Sequence, residues 1–229
     1  MMISPEGYYE EYLKGKTAEQ IMTTIRGLKQ EIGHLKNTME HPDYGREPIM
    51  HPSEDVRLWC TRMYLDRAKE AFAEAGGVYN PSKAELKAAA FDESVPAICK
   101  IVFTIGGFFS GNETHIITLD DEHLHKDVEH SLILKPSNFC IPPDYPVGKE
   151  EFLDGLRELH IGEWRSNYDP RRFGYEVLNG TQWELEIFFS DGHKPMKICG
   201  SNSYPYNFNK FLELLGIEPM EGEEDTDDE

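Results

Sequence analysis

The chain has 229 residues, 39% hydrophobic and 11% aromatic, enough apolar material for one large or two small folded domains. It carries 42 acidic against 23 basic side chains, a net charge of −19, so its surface repels nucleic acid and favours basic partners. No apolar run approaches the roughly 20 residues a bilayer-spanning helix needs, and the opening MMISPEGYYEEYLKGK lacks the basic-then-apolar order of a signal peptide, so a cytoplasmic protein that does not enter membranes is expected.

The first predicted element begins at Thr17. Thr17 with Gln20 three residues on has the form of a capping box. Behind it Ile21, Ile25, Leu28, Ile32, Leu35 and Met39 recur at alternating steps of four and three, a heptad seam along one face. Gly27 and Gly33 fall off the seam and weaken the helix by about 1 kcal/mol each relative to alanine, so tertiary packing must hold it. The stretch HPDYGREPIMHP ends it. Ser53, followed by Glu54 and Asp55, opens a second helix running to about Ala75, with Leu58, Leu65 and Phe72 seven residues apart, joined by Cys60, Met63, Ala68 and Ala71. Gly76-Gly77 stops it. The two helices are expected to pair as an antiparallel hairpin; a homodimeric coiled coil is the alternative. Ser82 and Glu85 mark a third, shorter helix.

From residue 96 the composition turns to β-branched and aromatic residues. AICKIVFTIGGFF and THIITL, separated by SGNE, read as a β-hairpin, and HSLILK (130–135) reads as a third strand. Residues 136–147 hold four prolines and should be irregular. KEEFLDGLRELH is an amphipathic helix with Phe152, Leu156 and Leu159 on one face. TQWELEIFFSDGHKPMKICG is a second hairpin. In it Trp183, Leu185, Ile187 and Phe189 alternate with Glu184 and Glu186, and Ser190 to His193 make the turn. NFNKFLELLG closes as a short helix, with Asn207 as N-cap and Gly216 as C-cap. The predicted fold class is therefore α+β: an N-terminal helical hairpin domain (1–95) and an antiparallel sheet of about five strands covered by two helices (96–217). Residues 218–229 carry eight acids and no base and are expected to form a disordered acidic tail.

One dense polar stretch could carry chemistry. HIITLDDEHLHKDVEH contains His115, Asp120, Asp121, Glu122, His123, His125, Asp127, Glu129 and His130. Imidazoles and carboxylates are the ligands of hydrolytic metal sites, so a metal-dependent hydrolase using His115–His130 is one reading. The simpler one is a solvated acidic connection between strands, exposing Asp120, Asp121, Glu122, Asp127 and Glu129 to a partner. Arg165, Arg171 and Arg172 form a basic loop expected to pair with neighbouring acids, with Trp164, Tyr168 and Phe173 as packing residues. The four cysteines, Cys60, Cys99, Cys140 and Cys199, lack paired spacing and read as reduced thiols. The chain has no GxxxxGK[ST] phosphate loop and no GxSxG elbow, and the glycines of TIGGFFSG sit inside a hairpin, where they make no dinucleotide fingerprint.

The segments SPEGYYEEYLKGKTAEQIMTTIRGLKQEIGHLKN and VLNGTQWELEIFFSDGHKPMKICGSNSYPYNFNKFLELLGI resemble accessory proteins of bacterial mobile genetic elements, some of which are anti-CRISPR inhibitors. The resemblance implies a non-enzymatic inhibitor that binds a basic CRISPR effector nuclease and blocks its use of DNA; from the residues themselves, the lack of ligand spacing adds the expectation of no metal or cofactor, and the heptad seam that of a monomer or weak homodimer. A structural accessory of such an element is the further alternative. The expected partner-binding residues are Asp120, Asp121, Glu122, Asp127 and Glu129.

Overall fold

The computed structural model describes residues 3–46, 51–107, 111–120, 123–131, 148–177 and 179–220. The chain divides into two compact units, Met1–Pro81 and Ser82–Glu229.

In the first unit, Ser4 accepts the Gly7 backbone N–H (3.0 Å) and Pro5 pre-sets the backbone of a short helix α1 (Pro5–Tyr8), which runs into a π-helical turn (Tyr9–Leu13). Sequence periodicity gives no sign of this arm, because it is shorter than two heptads. Helix α2 (Ala18–Met39) starts at the expected capping box: Thr17 Oγ1 accepts from Gln20 N–H (3.4 Å) and Gln20 Oε1 from Thr17 N–H (3.0 Å). Helix α3 (Glu54–Glu74) packs against α2, as the heptad seam predicts. Ile21, Ile25, Leu35 and Met39 are buried, while Leu28 and Ile32 are partly covered. The Ser53 hydroxyl bonds the Asp55 carboxylate and makes no cap to the backbone.

Helix α3 is covered along two stripes. Leu65, Ala68 and Phe72 belong to the core shared with Ile21 and Ile25. Tyr64 and Arg67 meet the N-terminal arm, Tyr64 stacking on Tyr8 at 4.3 Å and Arg67 lying 4.0 Å from the Tyr9 ring. At the end of α3, Gly77 donates to Phe72 O (2.8 Å) and lies against the Phe72 ring, where a Cβ would come within 2.4 Å of it.

The second unit opens with α4 (Lys83–Ser94), capped reciprocally by Ser82 and Glu85. The boundary therefore falls after Pro81, and the placing of α4 with the helical hairpin in a 1–95 domain is corrected. The cause is a close approach: Gly162, in a 3-10 turn (Ile161–Glu163), lies where a Cβ would sit 2.8 Å from Ala88 Cα, and Lys87 Nζ bonds the Trp164 carbonyl (3.2 Å).

Among the described residues six strands follow: β1 (Ile98–Gly107), β2 (Gly111–Leu119), β3 (Leu124–His130), β4 (Asn167–Tyr168), β5 (Thr181–Phe189) and β6 (Met196–Ser201), in the order β3-β2-β1-β5-β6-β4. All pairs are antiparallel except the two-residue β4–β6 pair. Helices α5 (Lys149–Glu158) and α6 (Phe208–Leu214) bring Phe152, Leu156, Phe211 and Leu212 onto Ile101, Phe103, Ile117, Leu185 and Ile187, and α4 adds Phe91. The α+β class stands, with a sixth strand and a third helix on the core.

The third strand among the described residues is Leu124–His130, and of the expected strand HSLILK residues 132–135 lie outside the described residues. Two hydrogen bonds between Asp120 and His123 set this register. Asp120 N–H donates to His123 O (3.1 Å) and His123 N–H to Asp120 Oδ1 (2.6 Å), so β2 reverses directly into β3. Asn207 is also not a side-chain N-cap; its amide accepts from Trp164 Nε1–H (3.1 Å) and donates to Leu159 O (2.7 Å).

Candidate interaction surface

A sheet with helices on one side turns alternate residues away from them. On β1, β2, β5 and β6 the residues Ile101, Phe103, Ile117, Trp183, Leu185, Ile187 and Ile198 point into the core. Their neighbours Lys100, Val102, Thr104, Thr114, Ile116, Glu184, Glu186, Lys197 and Cys199 form the other face, and none of them is buried. The registers align this face in rows. One runs Lys197, Glu186, Val102, Ile116, Asp127; the next runs Cys199, Glu184, Thr104, Thr114, Glu129. Thr104 and Thr114 share a hydroxyl hydrogen bond (3.0 Å).

The carboxylates of this face are not equivalent. Lys197 bridges Glu184 (2.7 Å) and Glu186 (3.0 Å), and these two hydrogen bonds push its pKa up to about 12. Asp127 and Glu129 are exposed, and among the described residues neither has an ion pair. They lie two residues apart on β3, about 7 Å along the strand. This strand forms one edge of the sheet.

The structure thus separates the five expected partner-binding acids. Asp127 and Glu129 share one face of a strand rather than a connection between strands. Asp120 sits in the β2–β3 turn with its carboxylate engaged by His123 N–H and lying 3.2 Å from His125 Nε2. Asp121 and Glu122 lie outside the described residues.

The nine-residue polar cluster is likewise divided. His123 and His125 are exposed with ring centroids 6.1 Å apart. His115 is 6% exposed on the core side of β2, against Phe103. Glu113 stands between two imidazoles, its Oε2 3.5 Å from His115 Nε2 and its Oε1 3.2 Å from His130 Nδ1. Among the described residues neither ring nitrogen of His115 has a hydrogen-bond partner at ordinary length, and the Glu113 carboxylate at 3.5 Å opposes the effect of burial. Burial is the main cause that lowers its pKa to about 4, and Lys126 adds to the effect. Burial also lowers the pKa of Lys126, whose Nζ bonds the carbonyls of Leu215 and Gly216 where α6 ends. Among the described residues no three histidine, cysteine or carboxylate side chains converge as a metal ion would require. The burial of His115 escapes sequence reading, because alternation shows which residues share a face but not which face is covered.

In the basic loop, Arg171 pairs with Asp169 through Nε (3.0 and 2.9 Å), and holds that carboxyl below the usual range. Arg172 lies 4.6 Å from the Phe173 ring, and Trp164 and Tyr168 are buried in the core. Cys60, Cys99 and Cys199 are free thiols, and Cys140 lies outside the described residues. Among the described residues no helix is long and apolar enough to cross a membrane.

Comparison of the chain with protein-family models, curated proteins and solved structures gives no match.

Proposed function

We propose that this protein is a non-enzymatic, acidic inhibitor that binds the basic surface of a nucleic-acid-handling protein, an RNA-guided nuclease being the partner that the resemblance in its sequence suggests, and keeps DNA off that surface. The observation that supports this most directly is the pair Asp127 and Glu129: exposed carboxylates on one face of an edge strand, without a paired cation among the described residues, on a chain of net charge −19. A groove that holds phosphates is lined with lysine and arginine, and carboxylates presented on a strand compete for it. Asp120, Asp121 and Glu122, next along the chain, extend the same negative field.

The test is binding of the full chain to immobilised RNA-guided nuclease complexes with and without target DNA. The expected result is mutual exclusion with DNA and an association rate that falls as salt rises. Simultaneous binding of DNA and the chain, or no binding to any such complex, rejects the reading.

A second reading rests on the position of β3. Charged side chains on an edge strand prevent pairing with the edge of another chain. On this reading Asp127 and Glu129 protect against aggregation, and their replacement promotes self-association without changing any partner's binding.

A further inference from the structure

Nothing in an acidic binding surface requires the group formed by Glu113, His115, Lys126 and His130 on the other side of the same strands. We propose that these four side chains form an acid-sensitive latch that holds edge strand β3 to the sheet, closed while His115 is neutral and opened when it takes a proton.

The geometry carries this in three steps. First, His115 is enclosed and among the described residues neither ring nitrogen is hydrogen-bonded at ordinary length, with Glu113 at 3.5 Å, an arrangement that costs an imidazolium more than a neutral imidazole. Second, the charges around it come from two strands. Glu113 is on its own strand, and β3 supplies Lys126 and His130. Strand β1 contributes the uncharged Phe103 ring, and from α6 the Leu215 and Gly216 carbonyls face Lys126, while Lys210 and Glu213 on that helix are exposed. A protonated His115 therefore adds a second partly enclosed cation beside Lys126, and among the described residues the carboxylate between them is Glu113, already shared with His130. Third, β3 is the element that can yield. Among the described residues this edge strand is hydrogen-bonded to β2 alone. Its separation from β2 takes Lys126 and His130 away from the cluster together and admits water to His115.

The latch does not depend on whether the acidic face has a partner. Opening frees His115 to titrate near its ordinary 6.5 instead of about 4. By proton linkage the open population of β3 then rises about tenfold or more between pH 7.5 and pH 5. The experiment is hydrogen exchange of the full chain at those two pH values, with rates corrected for intrinsic exchange. Peptides over 124–130 are expected to be less protected than peptides over 181–189 and 196–201 at both pH values, the mark of an opening short of global unfolding, and to differ in protection about tenfold or more between pH 7.5 and pH 5. His115→Phe, which keeps a ring but cannot titrate, is expected to abolish the difference. Protection over 124–130 equal to that over 181–189 and 196–201 at both pH values, or an undiminished acid response in His115→Phe, overturns the proposal. Should that variant not fold, NMR titration of wild-type His115 decides: a midpoint below pH 5 shared by the Val128 and His130 amides supports the latch, and a midpoint near 6.5 or unaffected β3 amides overturns it.

Discussion

Asn207 and Trp164, 43 residues apart in sequence, are joined by a 3.1 Å hydrogen bond from the indole Nε1–H to the side-chain carbonyl. The same amide donates to the Leu159 carbonyl, so one side chain at the start of α6 satisfies two groups near the end of α5. Trp164 is 2% exposed, so loss of the bond leaves its indole N–H in a poorly hydrated site. Asn207→Ala should therefore cost about 2–3 kcal/mol, the scale of leaving buried polar groups unsatisfied. Denaturant unfolding followed by Trp fluorescence checks this; a change below about 0.5 kcal/mol would show that the bond contributes little.

The N-terminal arm should behave as part of the first unit's core. Tyr64 both stacks on Tyr8 and exchanges hydrogen bonds with the Ile3 backbone, donating to its carbonyl (2.8 Å) and accepting its N–H (3.2 Å). Tyr64→Phe keeps the stack and loses the bonds, at about 1 kcal/mol. Tyr64→Ala loses both and should cost roughly 2–3 kcal/mol. Limited trypsin digestion should then cut at Lys14 and Lys16 much faster in Tyr64→Ala than in Tyr64→Phe.

Binding through the acidic strand should show in kinetics before it shows in stability. Replacing Asp127 and Glu129 by Asn and Gln should slow association with a nuclease complex about threefold or more at low salt and flatten its salt dependence, with stability changed by less than about 1 kcal/mol. Adding Asp120, Asp121 and Glu122 to the replacements should extend the effect. Unchanged rates and salt slopes in the five-fold variant would place the contact elsewhere.

Global stability should fall with acid through His115. Its folded pKa of about 4 lies below the ordinary 6.5, so the unfolded chain binds the proton more readily. Stability is fully present above pH 6.5 and is lost as pH falls towards 4, by about 2–3 kcal/mol at the lower limit. Urea melts between pH 7.5 and 4 should show this loss, smaller by that amount in His115→Phe.

The acidic tail should divide in two on deletion. Met220 packs against the sheet core and exchanges hydrogen bonds with the Asn209 amide, its N–H donating at 3.2 Å. Residues 221–229, outside the described part, carry seven acids and no apolar residue. Removing 221–229 should leave the melting temperature within about 1 °C, whereas removing 218–229 should lower it by a few degrees. Equal melting temperatures for the two deletions would show that Met220 adds nothing.

Sequence alone determined the features in which every deciding atom lies within a few residues. Thr17 with Gln20 and Ser82 with Glu85 close their capping boxes within a single turn. The heptads of α2 and α3 predict their pairing, because one apolar stripe must meet another. Alternation at Trp183, Leu185 and Ile187 defines a strand whichever neighbour it finds. Of the candidate surface, the acidic density around Asp120 to Glu129 was legible for the same reason. Tertiary structure decided the rest. That Asp127 and Glu129 lie on a strand follows from pairing with β2; that α4 belongs with the sheet follows from the missing Cβ at Gly162. The parallel β4–β6 pair joins two residues to a strand some 30 positions away. Whether His115 was an exposed ligand or an enclosed neutral ring depended on which face of the sheet the helices cover, and α5 and α6 reach that face from later parts of the chain. Long-range packing supplies that choice, and a period of two along a strand fits either face equally well.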